Sequence, residues 1–372
     1  MQKLKSFIII SIIGLIIFFG WKTLSKNSQT TKSPLFGNMP IPTPSDDIYS
    51  ILLLGYPGGK HDGAFLTDTI LTVSINKTKK IASLISIPRD LWVERPDKKG
   101  TFAKINTLYQ LERFNKNKKQ HDPTSDSELI KRTISQITGF PVTKVVIVNF
   151  DGFIQAIDNL GGITVNVEKS FEDKEFPIAG KEADTCGKEG EELEKALEEF
   201  KDKPRQSFPC RFEIATFSAG IKTMDGDTAL KYVRSRHGAG EQGDFARAKR
   251  QQLILEALSK KLLNPSILPK IPSLFETLSL YVQTDLTPLD ITSLLSQAPH
   301  KDDYKVYTVS PDIDNVLKYD YSDDGQYILI PQKGKNKWEE VKFYIHSSIG
   351  PPPSPSPRLS PTRAIRVIDL KE

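Results

Sequence analysis

The chain has 372 residues, 38% hydrophobic and 26% charged, enough for one large domain or two ordinary ones around a sizeable core. Its 51 basic and 46 acidic residues leave a net charge of +5, too mild and too interspersed to indicate nucleic acid as a partner. The two cysteines, Cys186 and Cys210, form no CxxC pair, which argues against a zinc or dithiol redox centre.

Residues 7–21 carry no charge and are almost wholly apolar, preceded by Lys3 and Lys5 and closed by Trp21 and Lys22. Fifteen residues fall short of the roughly 20 that cross a bilayer, so a signal-peptide core is the competing reading. No small-x-small cleavage site follows. The segment 7–22 is therefore expected to be an uncleaved transmembrane signal anchor. Residues 1–6 would stay in the cytoplasm, although Lys22 and Lys26 weaken the charge asymmetry. The rest of the chain would then lie outside the cell membrane, where a Cys186–Cys210 bridge is expected; two unrelated buried thiols are the alternative.

Residues 23–47 are rich in Ser, Thr, Asn and Pro, with Pro34, Pro40, Pro42 and Pro44, and read as a stalk. A second Pro-rich stretch opens the tail 350–372. Between them lies one block, 48–349. Its apolar runs predict strands at Ile51–Gly55, Asp68–Ile75, Ile81–Ile87 and Val145–Phe150, the last nearly continuous, as in a strand covered on both faces. Helical patterns occupy Leu129–Thr138, Phe153–Asn159 and Ala246–Leu263. This alternation argues an α/β fold layered around a central sheet. Lys305–Ser310 and Tyr327–Pro331 read as further strands and Glu339–Ile349 as a closing helix. The segment 171–217, with both cysteines and an acidic run from Glu189 to Glu199, reads as an insertion or lid.

The sharpest motif is Tyr232-Val-Arg-Ser-Arg-His237, followed by a helix starting near Asp244. Asp244, Arg247 and Gln251 share one helical face, which continues into Ile254, Leu255 and Leu258. A stripe that is polar first and apolar later suits a helix packed on the core, its first turns lining a polar cleft and favouring an anion. Arg234 and Arg236 on a strand would point to the same side and repel by about 2.5 kcal/mol at an effective dielectric of about 20. A phosphate between them would relieve this, and Arg247 and Arg250 nearby favour that reading over two hydrated surface arginines.

Ser86-Ile-Pro-Arg-Asp90 ends a strand, placing Arg89 and Asp90 at the sheet edge where α/β folds bind ligands. Asp68, in Leu66-Thr-Asp-Thr69, is either a ligand for Mg²⁺ or a turn-capping carboxylate. Gly55-Tyr-Pro-Gly-Gly-Lys-His-Asp-Gly63 follows a strand as a phosphate cradle would, without the Walker A order. Lys104-Ile-Asn106 adds a cation and an amide. His61 and His237 sit within motifs, where a structural role is the commoner one.

Taken together, and in this order, Thr67-Asp-Thr-Ile70, Ser86–Asp90, Lys104–Asn106, Asn159-Leu-Gly-Gly-Ile163, Asp225–His237 and Asp244–Gln252 resemble the LytR–CpsA–Psr family over about 50–263. The resemblance implies an α-β-α layered domain with a central mixed sheet, preceded by one transmembrane helix, with a lipid-accepting cleft. It implies transfer of a polyprenyl-pyrophosphate-linked glycopolymer to a peptidoglycan hydroxyl. Arg89, Arg234, Arg236 and Arg247 would clamp the phosphates, assisted by Gln251. Arg250 would join the pyrophosphate site, and Lys104 would approach the head group. Asp68 would hold Mg²⁺ (or Mn²⁺). Asp90 and Asp244 would orient arginines, one of them serving as base. The chain departs from the family pattern at Tyr56-Pro57, where an aspartate is usual, and at Leu66, where an arginine is usual. Asp62 is the candidate substitute carboxylate.

Two rival functions follow from the same residues. One is a hydrolase of lipid pyrophosphates, using water as acceptor. The other is a non-catalytic anchored binder of anionic wall polymers. No helix-turn-helix supports a role in transcription.

Overall fold

The computed structural model describes residues 47–59, 63–115, 122, 125–200, 203–235, 237–238, 241–242, 244–262, 281–287, 289–290 and 304–349. Residues 7–22, expected to form the anchor, lie outside these, as do Asp62 and Arg236. Among the described residues no helix is long and apolar enough to cross a membrane.

β1 (Ile48–Tyr56), β2 (Thr69–Asn76) and β3 (Ile81–Ser86) form an antiparallel meander. β4 (Trp92–Glu94) and β5 (Phe102–Lys104) make a short hairpin, and α1 (Leu108–Arg113) and α2 (Glu128–Thr138) lead into β6 (Val142–Asn149), which pairs parallel with β1. α3 (Phe150–Asn159) and β7 (Ile163–Val167) follow. The segment expected to be an insertion holds β8 (Phe171–Pro177), α4 (Gly190–Glu199), α5 (Pro204–Ser207) and β9 (Phe212–Phe217). β8 pairs antiparallel with β9, and Cys186 is disulfide-bonded to Cys210.

β10 (Gly220–Met224) pairs with β7 and leads into α6 (Gly226–Arg234). A two-residue ladder, β11 (His237–Gly238) with β12 (Glu241–Gln242), precedes α7 (Asp244–Leu262). β13 (Val282–Thr284) and β14 (Lys305–Val309) close the two edges of the sheet. β15 (Leu317–Tyr321), β16 (Tyr327–Pro331) and α8 (Glu339–Ser348) complete the described chain.

The main sheet has the order β13-β6-β1-β2-β3-β14. It is mixed: β6 and β1, and β3 and β14, are parallel, and the other neighbours are antiparallel. Successive residues of its inner strands feed two separate cores. Ile51, Val73, Leu84 and Val146 face α3, α6 and α7. Leu52, Leu54, Ile85, Val145 and Ile147 face α1, α2 and α8. That is why these strands read as continuous apolar runs, and why the architecture is helix, sheet, helix.

The layers also fix the helices' starts and close approaches. Asn149 caps α3, its side chain accepting from the Gly152 amide at 2.8 Å. Asp225 caps α6 in the same way, accepting from Thr228 at 2.9 Å. α3 and α6 cross so tightly at Gly226 that a Cβ there would lie 2.4 Å from the Ile154 carbonyl oxygen. This crossing carries the C-terminus of α6, and with it Arg234, to the sheet edge.

Candidate active site

The end of β1, the end of β6, the start of β2 and the loop after β3 all reach one edge of the sheet. Gly55, Asn149, Thr69 and Arg89 therefore meet there. Between this edge and helices α3, α6 and α7 lies a cavity of about 430 Å³. Its inner walls are apolar: Leu53, Leu71 and Val146 from the sheet, Phe153 and Ala156 from α3, Val233 from α6, and Ile254, Leu255 and Leu258 from α7. Its mouth is polar, with Asp68, Arg89, Arg234, Arg247 and Gln251. One cavity thus offers an apolar wall and a polar rim with three arginines, faced by the carboxylates of Asp68, Asp173 and Glu175.

Gly55 belongs to this geometry because the strands crowd there. A Cβ at Gly55 would sit 3.0 Å from the Cβ of Thr69. The Thr69 hydroxyl accepts from Gln251 Nε2 at 3.1 Å, tying the first turns of α7 to the start of β2. Arg247, one turn earlier, is 92% buried and lines the same wall (8% exposed).

Arg89 donates through Nη1 to Asp68 Oδ1. Its Nε faces Asp90 Oδ2 at 3.4 Å, and Asp90 in turn accepts from Lys104 Nζ at 2.8 Å. The chain Lys104–Asp90–Arg89–Asp68 is therefore a relay of alternating charge that aims one guanidinium at the mouth. Asp90 and Lys104 stand behind Arg89 and are not part of the cavity wall. Lys104, expected to approach a head group, places its ammonium on Asp90 in this structure. For Asp90 the orienting role fits this placement.

Arg234 is the last residue of α6, not a strand residue. The strand spacing to Arg236 does not apply, because the capping Asp225 and the buried Ala229, Leu230 and Tyr232 set a helical period through this segment. Its guanidinium lies between the rings of Phe150, 4.7 Å away, and Phe176, 5.1 Å away. Burial pulls Arg234 below its ordinary value, and the nearby Asp68 carboxylate only partly opposes this. A guanidinium held in so dry a place gains from a second anion.

Arg250 does not line the cavity. It is buried, donates to the Ser235 carbonyl and lies over the Phe171 ring at 4.9 Å, so it fastens α7 to the end of α6. Three residues after Arg247, it leaves the helix in a different direction, and the carbonyl that receives it stands 15 positions earlier, at the C-cap of α6. α7 starts at Asp244, whose side chain lies outside the described residues.

The residues that sequence reasoning passed over are aromatic or come from the insertion. Phe150 follows the N-cap Asn149, a pairing visible in the sequence. Phe176, Asp173 and Glu175 arrive from β8, with no local pattern pointing to the cleft.

The LytR_cpsA_psr family model matches residues 20–340. The chain belongs to the LytR–CpsA–Psr family. Among relatives of this family, it is 25% identical over 250 residues to the polyisoprenyl-teichoic acid–peptidoglycan teichoic acid transferase TagU of Bacillus licheniformis, covering 67% of this chain and 64% of that protein. TagV of Bacillus subtilis is 28% identical over 64% of this chain, and the match spans 50% of TagV. The chain thus spans between half and two thirds of the length of these two relatives. The regulatory protein MsrR of Staphylococcus aureus is 26% identical over 82% of this chain and 76% of its own length. The crystal structure of Bacillus subtilis TagV shares the fold, with a TM-score of 0.53 at 24% identity, covering 82% of this chain and 98% of that one.

For a divalent cation, the donor set near the mouth is small. Tyr56, at the position where the resemblance implies an aspartate, packs its ring against Phe65 and Tyr109 at 5.6 and 5.8 Å, within the core on the other face of the sheet. It offers no ligand. Among the described residues, Asp68 is the lining carboxylate paired with Arg89, while Asp173 and Glu175 line the cavity from β8. One carboxylate with substrate oxygens fits Mg²⁺, which keeps water and phosphate oxygens in its shell.

Proposed function

We propose that this protein is a membrane-anchored phosphotransferase that moves a glycopolymer from a polyprenyl pyrophosphate to a peptidoglycan hydroxyl. The observation that carries this reading is the single cavity with an apolar wall and a polar rim with three arginines. A prenyl chain fits the wall by burial of apolar surface. A pyrophosphate fits the rim, where Arg234 and Arg247 are already desolvated and Arg89 is aimed by its relay. The names of the related TagU and TagV, polyisoprenyl-teichoic acid–peptidoglycan teichoic acid transferases, support the same donor and acceptor classes.

The acceptor oxygen would form a new bond to the sugar-side phosphorus as the bond to the bridging oxygen breaks. Polyprenyl monophosphate leaves, and the hydroxyl proton passes to a base that the described residues do not identify. Little covalent work falls to the protein. Arg89, Arg234 and Arg247 hold the phosphates and answer the charge that grows on the leaving group. Gln251, fixed by Thr69, keeps α7 in register with β2. Mg²⁺ held by Asp68 would supply further charge neutralisation.

The anchor at 7–22 and an extracytoplasmic domain belong to this proposal. The Cys186–Cys210 bridge supports that placement, because disulfides persist in oxidising compartments.

The test is incubation of the full chain with a polyprenyl-pyrophosphate oligosaccharide, Mg²⁺ and peptidoglycan fragments, with product masses read directly. A glycan–phosphate–peptidoglycan adduct, lost with Arg89→Ala and with EDTA, is expected. Phosphorylated glycan released whether or not acceptor is present would replace the transferase by a hydrolase. Binding without turnover would leave an anchored binder.

A further inference from the structure

The hairpin β15–β16 carries three large aromatic side chains in solvent. Tyr319, Tyr321 and Tyr327 are 55%, 61% and 41% exposed. Tyr321 pairs directly with Tyr327 across the strands, and the rings of Tyr319 and Tyr327 lie 5.4 Å apart. Alternation along the strands puts all three on one face. The base of the same hairpin is buried through Leu317, Ile328, Leu329 and Ile330, so the aromatic end is held out by a fixed root.

That root is joined to the active-site loop. The Leu329 amide donates to the Asp90 carbonyl at 3.0 Å, and Leu329 bridges Leu91 in parallel. Tyr319 lies opposite Leu329. Two strand spacings, roughly 10 Å, therefore separate the backbone of Tyr319 from that of Asp90, the neighbour of Arg89.

The chemistry of the patch selects its occupant. Asp323, Asp324 and Gln326 stand in the turn of this hairpin, Lys318 and Asp320 alternate onto the face opposite the rings, and Lys318 is the one cation between 317 and 331. Three carboxylates against one ammonium disfavour an anionic lipid surface. The negative faces of aromatic rings attract the weakly positive C–H edges of a pyranose. At the turn Asp324 accepts from Ser322 and Gln326, and the adjoining Asp323 carboxylate suits the sugar's hydroxyls.

We propose that this tyrosine face docks the glycan chain of the acceptor and leads its hydroxyl to the mouth at Arg89. The inference rests on the transferase reading and adds where the acceptor sits.

The experiment uses the full chain, with chitohexaose as a soluble probe, in wild type, Tyr319→Ala/Tyr321→Ala and Tyr319→Phe/Tyr321→Phe. Thermal melts check that all three fold. The alanine pair is expected to bind chitohexaose about tenfold more weakly. It should also raise the acceptor KM while leaving kcat and polyprenyl-pyrophosphate binding unchanged. The phenylalanine pair keeps the ring faces and should retain most of the affinity.

Wild-type chitohexaose affinity in a folded alanine pair would overturn the proposal. So would sugar binding abolished by Arg89→Ala alone, or tyrosine-dependent sedimentation with phosphatidylglycerol vesicles in place of sugar binding. Failure of the transferase reading has a different signature. No protein would then bind the pyrophosphate donor, while tyrosine-dependent chitohexaose binding persisted, which would overturn the acceptor role but not the sugar site.

Discussion

Arg89 donates to the carboxylate of Asp68 at the cleft, so the guanidinium proposed to hold a phosphate is paired with the carboxylate proposed to hold a cation. The two charges restrain each other. Asp68→Asn keeps the side chain's shape and removes its charge, which frees Arg89 for phosphate. Binding of a polyprenyl pyrophosphate should hold or tighten, while transfer in Mg²⁺ falls by about 100-fold or more. Titration calorimetry alongside adduct formation separates the two effects. Unchanged turnover in Asp68→Asn would remove Asp68 from the metal-binding role.

Arg234 gives a second prediction. Its planar guanidinium lies between Phe150 and Phe176, and a lysine there offers a strongly hydrated point charge with no flat face. Arg234→Lys should weaken donor binding about tenfold or more despite conserving the charge. Phe176→Leu, which removes one face only, should produce a smaller loss in the same direction. Direct binding of a short-chain prenyl pyrophosphate reads both. Full affinity in Arg234→Lys would show that only the charge matters.

These two arginines also mark how far the sequence could be read. β1 and β6 were legible because both faces of each strand are covered, which leaves an apolar run with few interruptions. The wall formed by Arg247, Gln251, Ile254 and Leu258 was legible because helical period alone puts them on one stripe. Arg234 was misplaced because Tyr232-Val-Arg-Ser-Arg alternates like a strand over five residues, whereas the cap that makes it helical is Asp225, nine positions earlier. Arg250 was misplaced because its destination, the Ser235 carbonyl, depends on how α6 and α7 pack. Phe176 had no local signal at all. It reaches the cleft only because β8 folds over it, and such long-range placement leaves no period in the sequence.

The segment that delivers Phe176 also holds the Cys186–Cys210 disulfide, whose cysteines are 24 positions apart. Opening a loop of that length costs about 3 kcal/mol in the chain-entropy account. Cys186→Ser/Cys210→Ser should therefore lower the melting temperature. Because β8 lines the cleft through Asp173, Glu175 and Pro177, donor affinity should fall as well. Melts with and without reductant, on wild type and variant, check the assignment. A reductant effect of equal size in the serine variant would place the effect elsewhere.

The far edge of the sheet supplies a pH dependence separate from the active site. Lys144 on β6 pairs with Asp290 at 2.7 Å, and Thr287 donates to the same carboxylate through its amide at 2.7 Å and its hydroxyl at 2.6 Å. Next to it, Asp285 accepts from Lys131 at 3.0 Å and from the Val145 amide at 2.7 Å, while burial and then Asp290 push the Tyr49 hydroxyl up. Burial alone would raise the Asp290 carboxyl, yet the hydrogen bonds from Lys144 and Thr287 outweigh it and hold it below the usual range. A carboxyl lowered by folding stabilises the protein fully above its unfolded value, near 4. That contribution disappears as pH falls through the lower folded value. Asp290→Asn should thus be less stable than wild type at pH 6, by about 1 kcal/mol. The gap should close as pH drops toward 3. Urea midpoints followed by tryptophan fluorescence at pH 6, 4.5 and 3 measure this convergence. A gap that stays constant across the three values would mean that Asp290 titrates no differently in the folded and unfolded chains.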